Sequence, residues 1–303
     1  MELDRWSFDP ETAAECEFKN DLGFFYMYKE RKMEEKVTIQ KGTVQETLAF
    51  PLYGRSIANQ KYPQLFHDTE AAKIMARMDY DFSNSNMGSI PSIVYGIRHE
   101  ALVAAAQDYL KEYPDAIIVN LGCGLDTSFV FIDNGRCRFV NLDLPDVIEL
   151  REKLFDLHDR EMNLAHSALD FSWMEKIGAS EKDHVFIISG GVLFYFKPEE
   201  VKALINTMAK RFPKGGFVFD FENKTMAGMS NRMVKKSGNH GAEMYYWVQN
   251  AQKEIPSYSD HIESVTVCNP MTSDYKSLPA AARAILNIEI KNGWMGFAEL
   301  RFK

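Results

Sequence analysis

The chain has 303 residues, 46% of them hydrophobic, enough for one large domain or two modest ones with a substantial core. A formal charge of −8 supplies no basic field for phosphate backbones and disfavours generic nucleic-acid binding. No apolar run approaches the ~20 residues of a membrane span, and the scattered Cys16, Cys123, Cys137 and Cys268 signal neither a disulfide framework nor a metal site.

The acidic, proline-broken start "MELDRWSFDPETAAEC" suits neither a secretory signal nor a transit peptide, so a reduced, cytoplasmic protein is expected. Residues 1–36 read as an extension, with "LGFFYMY" apolar enough to pack over the helices that follow and Met33 as an alternative start. Residues 37–113 read as a helical cap. Its clearest helix is "DTEAAKIMARM", which Asp68 or Thr69 can cap, and "HEALVAAAQDYLKEY" is an amphipathic helix stopped by Pro114.

From Pro114 onward, short β-branched or aromatic runs alternate with longer amphipathic ones, the pattern of βαβ units around a parallel sheet. Strands are expected at residues 117–121, 138–142, 163–168, 185–189, 217–221, 264–267 and 295–302. "PDVIELREKLFDLH" has helical apolar spacing. "KPEEVKALINTMAKRF" opens with Pro198, Glu199 and Glu200 and closes with Lys210 and Arg211, complementing a helix dipole. Residues 223–260, rich in methionine, glycine and aromatics, read as an insertion at the C-terminal edge of the sheet, either a lid over a ligand or a solvent-exposed loop.

The chemistry concentrates in "IIVNLGCGLDTSFVFIDNGRCRFVNLDLPDV". A strand runs into Gly122-Cys123-Gly124, where backbone N–H groups can approach a ligand with no Cβ in the way, and Asp143 closes a second strand where a carboxylate can accept from both ribose hydroxyls. Either a nicotinamide dinucleotide or S-adenosylmethionine satisfies that much. The third glycine of the dinucleotide fingerprint is replaced by Thr127, and Asp126 at the expected helix start repels a pyrophosphate while tolerating a sulfonium. Asp170 and Phe171 in "SALDFSW" can meet an adenine edge and face, or Asp170 can simply cap the next helix.

Taken in order, "VNLGCGLDT", "DLPDVIELR", "SALDFSW" and "GGVLFYF", with the upstream "TLAFPLYGRSIANQKYPQLFHDTEAAKIMARMDYDF", resemble the leucine carboxyl methyltransferase superfamily, especially its bacterial branch of tetracenomycin-type polyketide O-methyltransferases. The resemblance implies an α/β class I methyltransferase domain (Rossmann-like) over residues 37–303. Its seven-stranded, mostly parallel sheet has an antiparallel last strand, a helical N-terminal segment and a lid insertion. It implies S-adenosyl-L-methionine as cofactor, with Gly122 and Gly124 along its methionine part, Asp143 at the ribose, Asp170 and Phe171 at the adenine, and Cys123 and Leu144 in the same cofactor site. Ser189, which ends the fourth parallel strand, and Gly190, which follows it, lie in the same site. Arg98, in "YGIRHEAL", matches an arginine that pairs with the cofactor carboxylate, and Arg55, in "LYGRS", matches a basic position near the same end; for both, a structural ion pair is the alternative. The family glutamate expected beside the cofactor is replaced by Gly190, which removes a carboxylate and opens space.

Methyl transfer to a carboxylate needs no base, whereas a phenol or alcohol does. The seven histidines form no recognisable pair, and Tyr195 is the one catalytic candidate; Met226, Met229, Met233 and Tyr245 can wall a flat, greasy acceptor. The expected activity is O-methylation of a carboxyl or hydroxyl on a small polyketide-like acceptor, without nucleic acid, membrane or metal. The alternatives are methylation of a protein C-terminus and a cofactor-binding protein with weak or no turnover.

Overall fold

The computed structural model describes residues 36–39, 44–82, 87–180, 182–237, 243–268 and 273–303. The extension 1–35, including "LGFFYMY" and Met33, lies outside them. Among the described residues no helix is long and apolar enough to cross a membrane.

Seven strands form one sheet: β1 (Ile117–Leu121), β2 (Arg138–Asp143), β3 (Glu161–Ala165), β4 (Val185–Ser189), β5 (Gly216–Glu222), β6 (Ile262–Cys268) and β7 (Met295–Phe302). Their spatial order is β3-β2-β1-β4-β5-β7-β6, and β7 runs antiparallel to both neighbours while the other pairings are parallel. Every residue of β1 and β4 is buried, as central strands covered on both faces must be. The third strand lies at 161–165 rather than 163–168, because its pairing with β2 sets Asp143 opposite Ala165 and ends there. The order reverses at β1, so the crevice between the C-terminal ends of β1 and β4 is the place for a ligand in an open α/β sheet.

Helices cover both faces. On one side α3 (Ser89–Glu112) and α7 (Ala280–Lys291) pack Ile97, Val103, Ala106 and Leu286 against Ile118, Phe186, Ile188 and Val218. On the other, α5 (Pro198–Arg211) packs Val201, Leu204, Ile205 and Met208 against Val119, Ile187 and Phe217. Each such side chain contributes about 1.5–3 kcal/mol by leaving water. A third cluster joins α1 (Val44–Lys61), α2 (Glu70–Ala76) and α4 (Pro145–Leu154) through Leu52, Ile74, Leu150 and Leu154, with Leu125 of the glycine loop among them. The helical cap is thereby packed onto the loop that follows β1.

Of the two candidate caps of α2, Asp68 makes the bond, its Oδ1 accepting from Ala71 N at 3.0 Å, while Thr69 makes no side-chain cap bond. After the glycine loop the chain makes only a four-residue helix, Phe129–Ile132, so the loop itself does not run into a long helix N-terminus. The stretch after β5 is partly regular: α6 (Lys224–Ser237) follows directly, and the segment from 243 returns to the sheet edge, where Tyr246, Val248, Ala251 and Ile255 enter the core.

Candidate active site

The glycine loop is fastened from three directions. Gly122 has φ +71°, and a Cβ there would stand 2.3 Å from Val192 Cγ2, so both backbone and space require glycine. The amides of Gly122 and Cys123 donate to Leu142 O at 2.8 and 3.2 Å, and Gly124 N donates to Asp143 Oδ2 at 2.8 Å. Asp126 N bonds Cys123 O, and Ser128 N bonds Asp126 Oδ1. These amides are spent within the protein, and the helix beyond is a single turn. A phosphate cradle needs free amides on a helix N-terminus, so the loop suits a cofactor that brings no phosphate.

Asp143 ends β2 with its carboxylate half-buried, accepting from Gly124 N and, at 2.7 Å, from Leu144 N. Burial raises its pKa against those two bonds. Each oxygen keeps a lone pair for a ribose hydroxyl. Leu144 beside it is 48% exposed, an apolar surface offered outward. Asp170 is exposed; its Oδ1 accepts from Ser172 N at 3.2 Å, which lowers its pKa, and Oδ2 lies 3.4 Å from His166 Nε2. Phe171 is half-buried against the core beneath it.

Behind the loop lies a buried polar network. Asp126 Oδ1 accepts from Asn120 Nδ2 at 2.9 Å, and Oδ2 lies 3.7 Å from His99 Nδ1. Burial opposes its charge, but the hydrogen bond to His99 and the nearby Arg55 cation hold its pKa well below the ordinary carboxylate range. Arg55 itself is buried: its Nε lies 2.6 Å from Asp68 Oδ2, and a terminal nitrogen donates to Leu125 O at 2.9 Å. That is the structural ion pair weighed for it, tying α1 and α2 to the loop. Arg151, on α4, was not singled out by sequence and is 1% exposed. It donates to the carbonyls of Gly124 and Asp126 at 3.3 and 2.6 Å, pairs with Glu161 at 3.2 Å, and lies over the Phe155 ring.

On the β4 side, Ser189 is buried and donates to Leu121 O at 2.9 Å, fixing the two strand ends across the crevice. At Gly190, a Cβ would meet Leu102 Cδ1 at 2.9 Å and Arg98 Cδ at 3.0 Å. The space released by the missing glutamate is therefore filled by the stem of Arg98. Its guanidinium reaches Asp220 on β5, Nη2 to Oδ2 at 2.7 Å, while Asp220 Oδ1 accepts from Gly191 N at 2.7 Å. Burial disfavours the Arg98 charge, but Asp220 outweighs it and raises the arginine's pKa. Arg98 Nε is buried with no hydrogen-bond partner among the described residues, so the fork retains a donor suited to a ligand carboxylate. Asp220 places a carboxylate at this strand edge although position 190 has none.

Two residues on from Asp220, and on the same face of β5, Glu222 accepts from Ser230 Oγ of α6 at 3.0 Å. Burial pushes its pKa up to about 7, against the Ser230 bond. Tyr195, in the turn Leu193–Tyr195 after β4, is 43% exposed, and its hydroxyl pKa is raised by burial on its inner side and lowered in part by Arg98. The segment from 243 is hydrogen-bonded to this edge: Tyr245 N donates to Phe194 O at 2.7 Å and Val248 N to Glu222 O at 2.9 Å. Of the methionine wall, Met229 is exposed and Met226 half-buried, Tyr245 is exposed, and the Met233 side chain lies outside the described residues. Sequence reading passed over Asp220 and Glu222; the signal was "VFDFE", two acids at alternate positions in an otherwise apolar strand.

The leucine carboxyl methyltransferase family model matches residues 52–209, from α1 through the glycine loop into α5. The tetracenomycin polyketide synthesis O-methyltransferase TcmP of Streptomyces glaucescens is 26% identical over 184 residues, 60% of this chain and 67% of that protein. Among solved structures, a putative methyltransferase from Thermobifida fusca is similar at TM-score 0.54 and 14% identity, over 89% of this chain and 96% of its own. A DUF574 family protein from Streptomyces avermitilis is similar at 0.52 and 15%, over 70% and 85%. The structural likenesses establish a shared fold, and the family match spans more than half of the chain. The chain belongs to the leucine carboxyl methyltransferase family and is an S-adenosylmethionine-dependent methyltransferase.

Proposed function

We propose that the protein methylates an oxygen of a small organic acceptor, of the polyketide-like kind named for its Streptomyces relative. The observation that carries this reading is the composition of the crevice at the C-terminal ends of β1, β2, β4 and β5. A glycine loop with its amides already bonded, the Asp143 carboxylate and the Arg98 donor face the same edge as the exposed rings of Tyr195 and Tyr245. One side of that edge suits an adenosine cofactor bearing a carboxylate and no phosphate. The other presents exposed aromatic and methionine side chains, Tyr195, Tyr245 and Met229, which suit a flat, apolar acceptor.

When bound, S-adenosylmethionine supplies an electrophilic methyl carbon on a sulfonium. The chain's part is positional: Asp143 would hold the ribose hydroxyls and Arg98 the amino-acid carboxylate, with Asp170 and Phe171 at the adenine. Holding reactants in line accounts for much of the rate in such displacements. Calorimetric titration of the purified protein with S-adenosylhomocysteine tests the reading. One site per chain is expected, with a matching thermal shift; no heat and no shift would contradict it.

A further inference from the structure

The amino-acid end of S-adenosylmethionine carries an ammonium beside its carboxylate, and the function proposed above gives a partner only to the carboxylate, at Arg98. On that placement, which the following rests on, the ammonium enters the same end of the crevice. A cation without acceptors is costly there, since the Arg98 and Asp220 side chains are only 22% and 7% exposed. The turn after β4 brings no side chain to it. Gly190 and Gly191 follow Ser189 directly, Gly191 has φ +76°, and a Cβ on it would stand 3.0 Å from Arg98 Nη1. Bare backbone therefore lies against the guanidinium, and the acceptor must come from a neighbouring element.

That element is β5. Phe219 and Phe221 face the core shared with α5, so by strand alternation Val218, Asp220 and Glu222 face the side of α3 and α7, with Val218 in the core there. Asp220 is held at two points, Oδ1 by Gly191 N and Oδ2 by Arg98 Nη2, each at 2.7 Å. An ionised carboxylate offers about four acceptor sites, so roughly half of its capacity is left. Arg98 Nε is buried and without a partner among the described residues. The pair is thus unsaturated on both sides, with a donor left on the cation and acceptor positions left on the anion. Among the described residues Asp220 is the carboxylate that pairs with Arg98. Glu222 accepts from Ser230 of α6 at 3.0 Å, and Lys224 Nζ lies 5.5 Å from the centre of the Trp247 ring.

A buried ion pair adds little net stability over an apolar substitute, and its place at a ligand edge points to recognition. A zwitterion laid head to tail against such a pair meets the opposite charge at each end, so that four charges alternate in sign. A ligand bearing a carboxylate alone is drawn to Arg98 and repelled by Asp220, and low solvent exposure strengthens both effects. We propose that Asp220 binds the ammonium of the cofactor's amino-acid end, so that Arg98 and Asp220 act as one zwitterion-binding pair.

Calorimetric titration with four ligands tests this. S-adenosylhomocysteine carries both charges, its deaminated analogue only the carboxylate, its decarboxylated analogue only the ammonium, and methylthioadenosine neither. Wild type should bind S-adenosylhomocysteine at least about tenfold more tightly than the deaminated analogue; equal affinity overturns the proposal. Asp220→Asn keeps an acceptor for Gly191 N and should erase that preference. S-adenosylhomocysteine weakens by at least about tenfold, while the deaminated analogue binds as well or better because Arg98 has lost its counter-ion. Methylthioadenosine affinity should stay within about twofold, which reports an intact adenosine side even in a less stable variant. A purely structural Asp220 would weaken all four ligands alike, and that result overturns the proposal. So does a preference erased by Glu222→Gln and kept by Asp220→Asn, which puts the ammonium on the other acid. The underlying placement is read separately: if Arg98→Met still prefers S-adenosylhomocysteine to the decarboxylated analogue as strongly as wild type, the carboxylate does not sit at Arg98 and the proposal falls with it.

Discussion

Arg98 Nη2 lies 2.7 Å from Asp220 Oδ2, and this contact joins α3 to the crevice end of β5 while the arginine stem fills the space beside Gly190. Sequence reading treats position 190 as a loss of a carboxylate. Asp220 on the neighbouring strand places a carboxylate at the same edge, and the one arginine touches both positions.

Replacing Asp220 with Asn keeps an acceptor for Gly191 N but leaves the Arg98 charge without its counter-ion. Because only 7% of the Asp220 side chain is exposed, the expected cost is about 2–4 kcal/mol of stability. Urea unfolding measures it, and a change under about 0.5 kcal/mol would mean the pair is water-screened.

Restoring the family glutamate by Gly190→Glu is expected to impair the protein. The new Cβ would stand 2.9 Å from Leu102 Cδ1 and 3.0 Å from Arg98 Cδ, so the Arg98 stem must move, at about 1–3 kcal/mol of overpacking. Thermal denaturation should show a lower midpoint. A variant with raised stability and raised transfer rate would show that the space is not occupied as described.

Asp143→Ala removes the acceptor for Gly124 N and for a ribose. Two charge-assisted hydrogen bonds at about 1.5–3 kcal/mol each predict at least ~100-fold weaker S-adenosylhomocysteine binding by calorimetry. Unchanged affinity would remove Asp143 from the ribose role.

Glu222 sets a pH dependence of stability that its glutamine variant lacks. Its folded pKa of about 7 lies above the ordinary 4.5, so the folded state holds the extra proton. The stability this proton brings is complete below about pH 4.5 and is lost as pH rises through 7. Wild type should therefore fall relative to Glu222→Gln by up to about 3 kcal/mol between those limits. Paired urea melts at pH 5 and pH 8 measure the difference, and a constant gap would show no raised acid at this position.

Much of the scaffold is legible because strand and helix periods are local. Residues 117–121, 185–189 and 295–302 are strands at the expected bounds, and Pro198 to Arg211 is a helix with its charges placed for the dipole. The glycine loop's turn follows from Gly122 and Gly124, both at positive φ. Hidden were the contacts that cross large sequence separations: Arg151 holding the carbonyls of Gly124 and Asp126, and Arg98 meeting Asp220. No periodicity reports which arginine reaches which carbonyl. Glu222 was passed over for a related reason, since an acid ending an apolar strand reads as a solvated terminus until α6 and α7 are packed around it.

The most direct measurement is transfer of a deuterated methyl group from labelled S-adenosylmethionine, followed by mass spectrometry of acceptors. The acceptors are a mixture of aromatic hydroxyl compounds, aromatic acids and peptides with free C-termini. The predicted result is a mass gain of one trideuteromethyl group on oxygen of the small aromatic molecules. Label confined to the C-terminal carboxyl of peptides, or no label on any acceptor while the cofactor remains bound, would contradict the account.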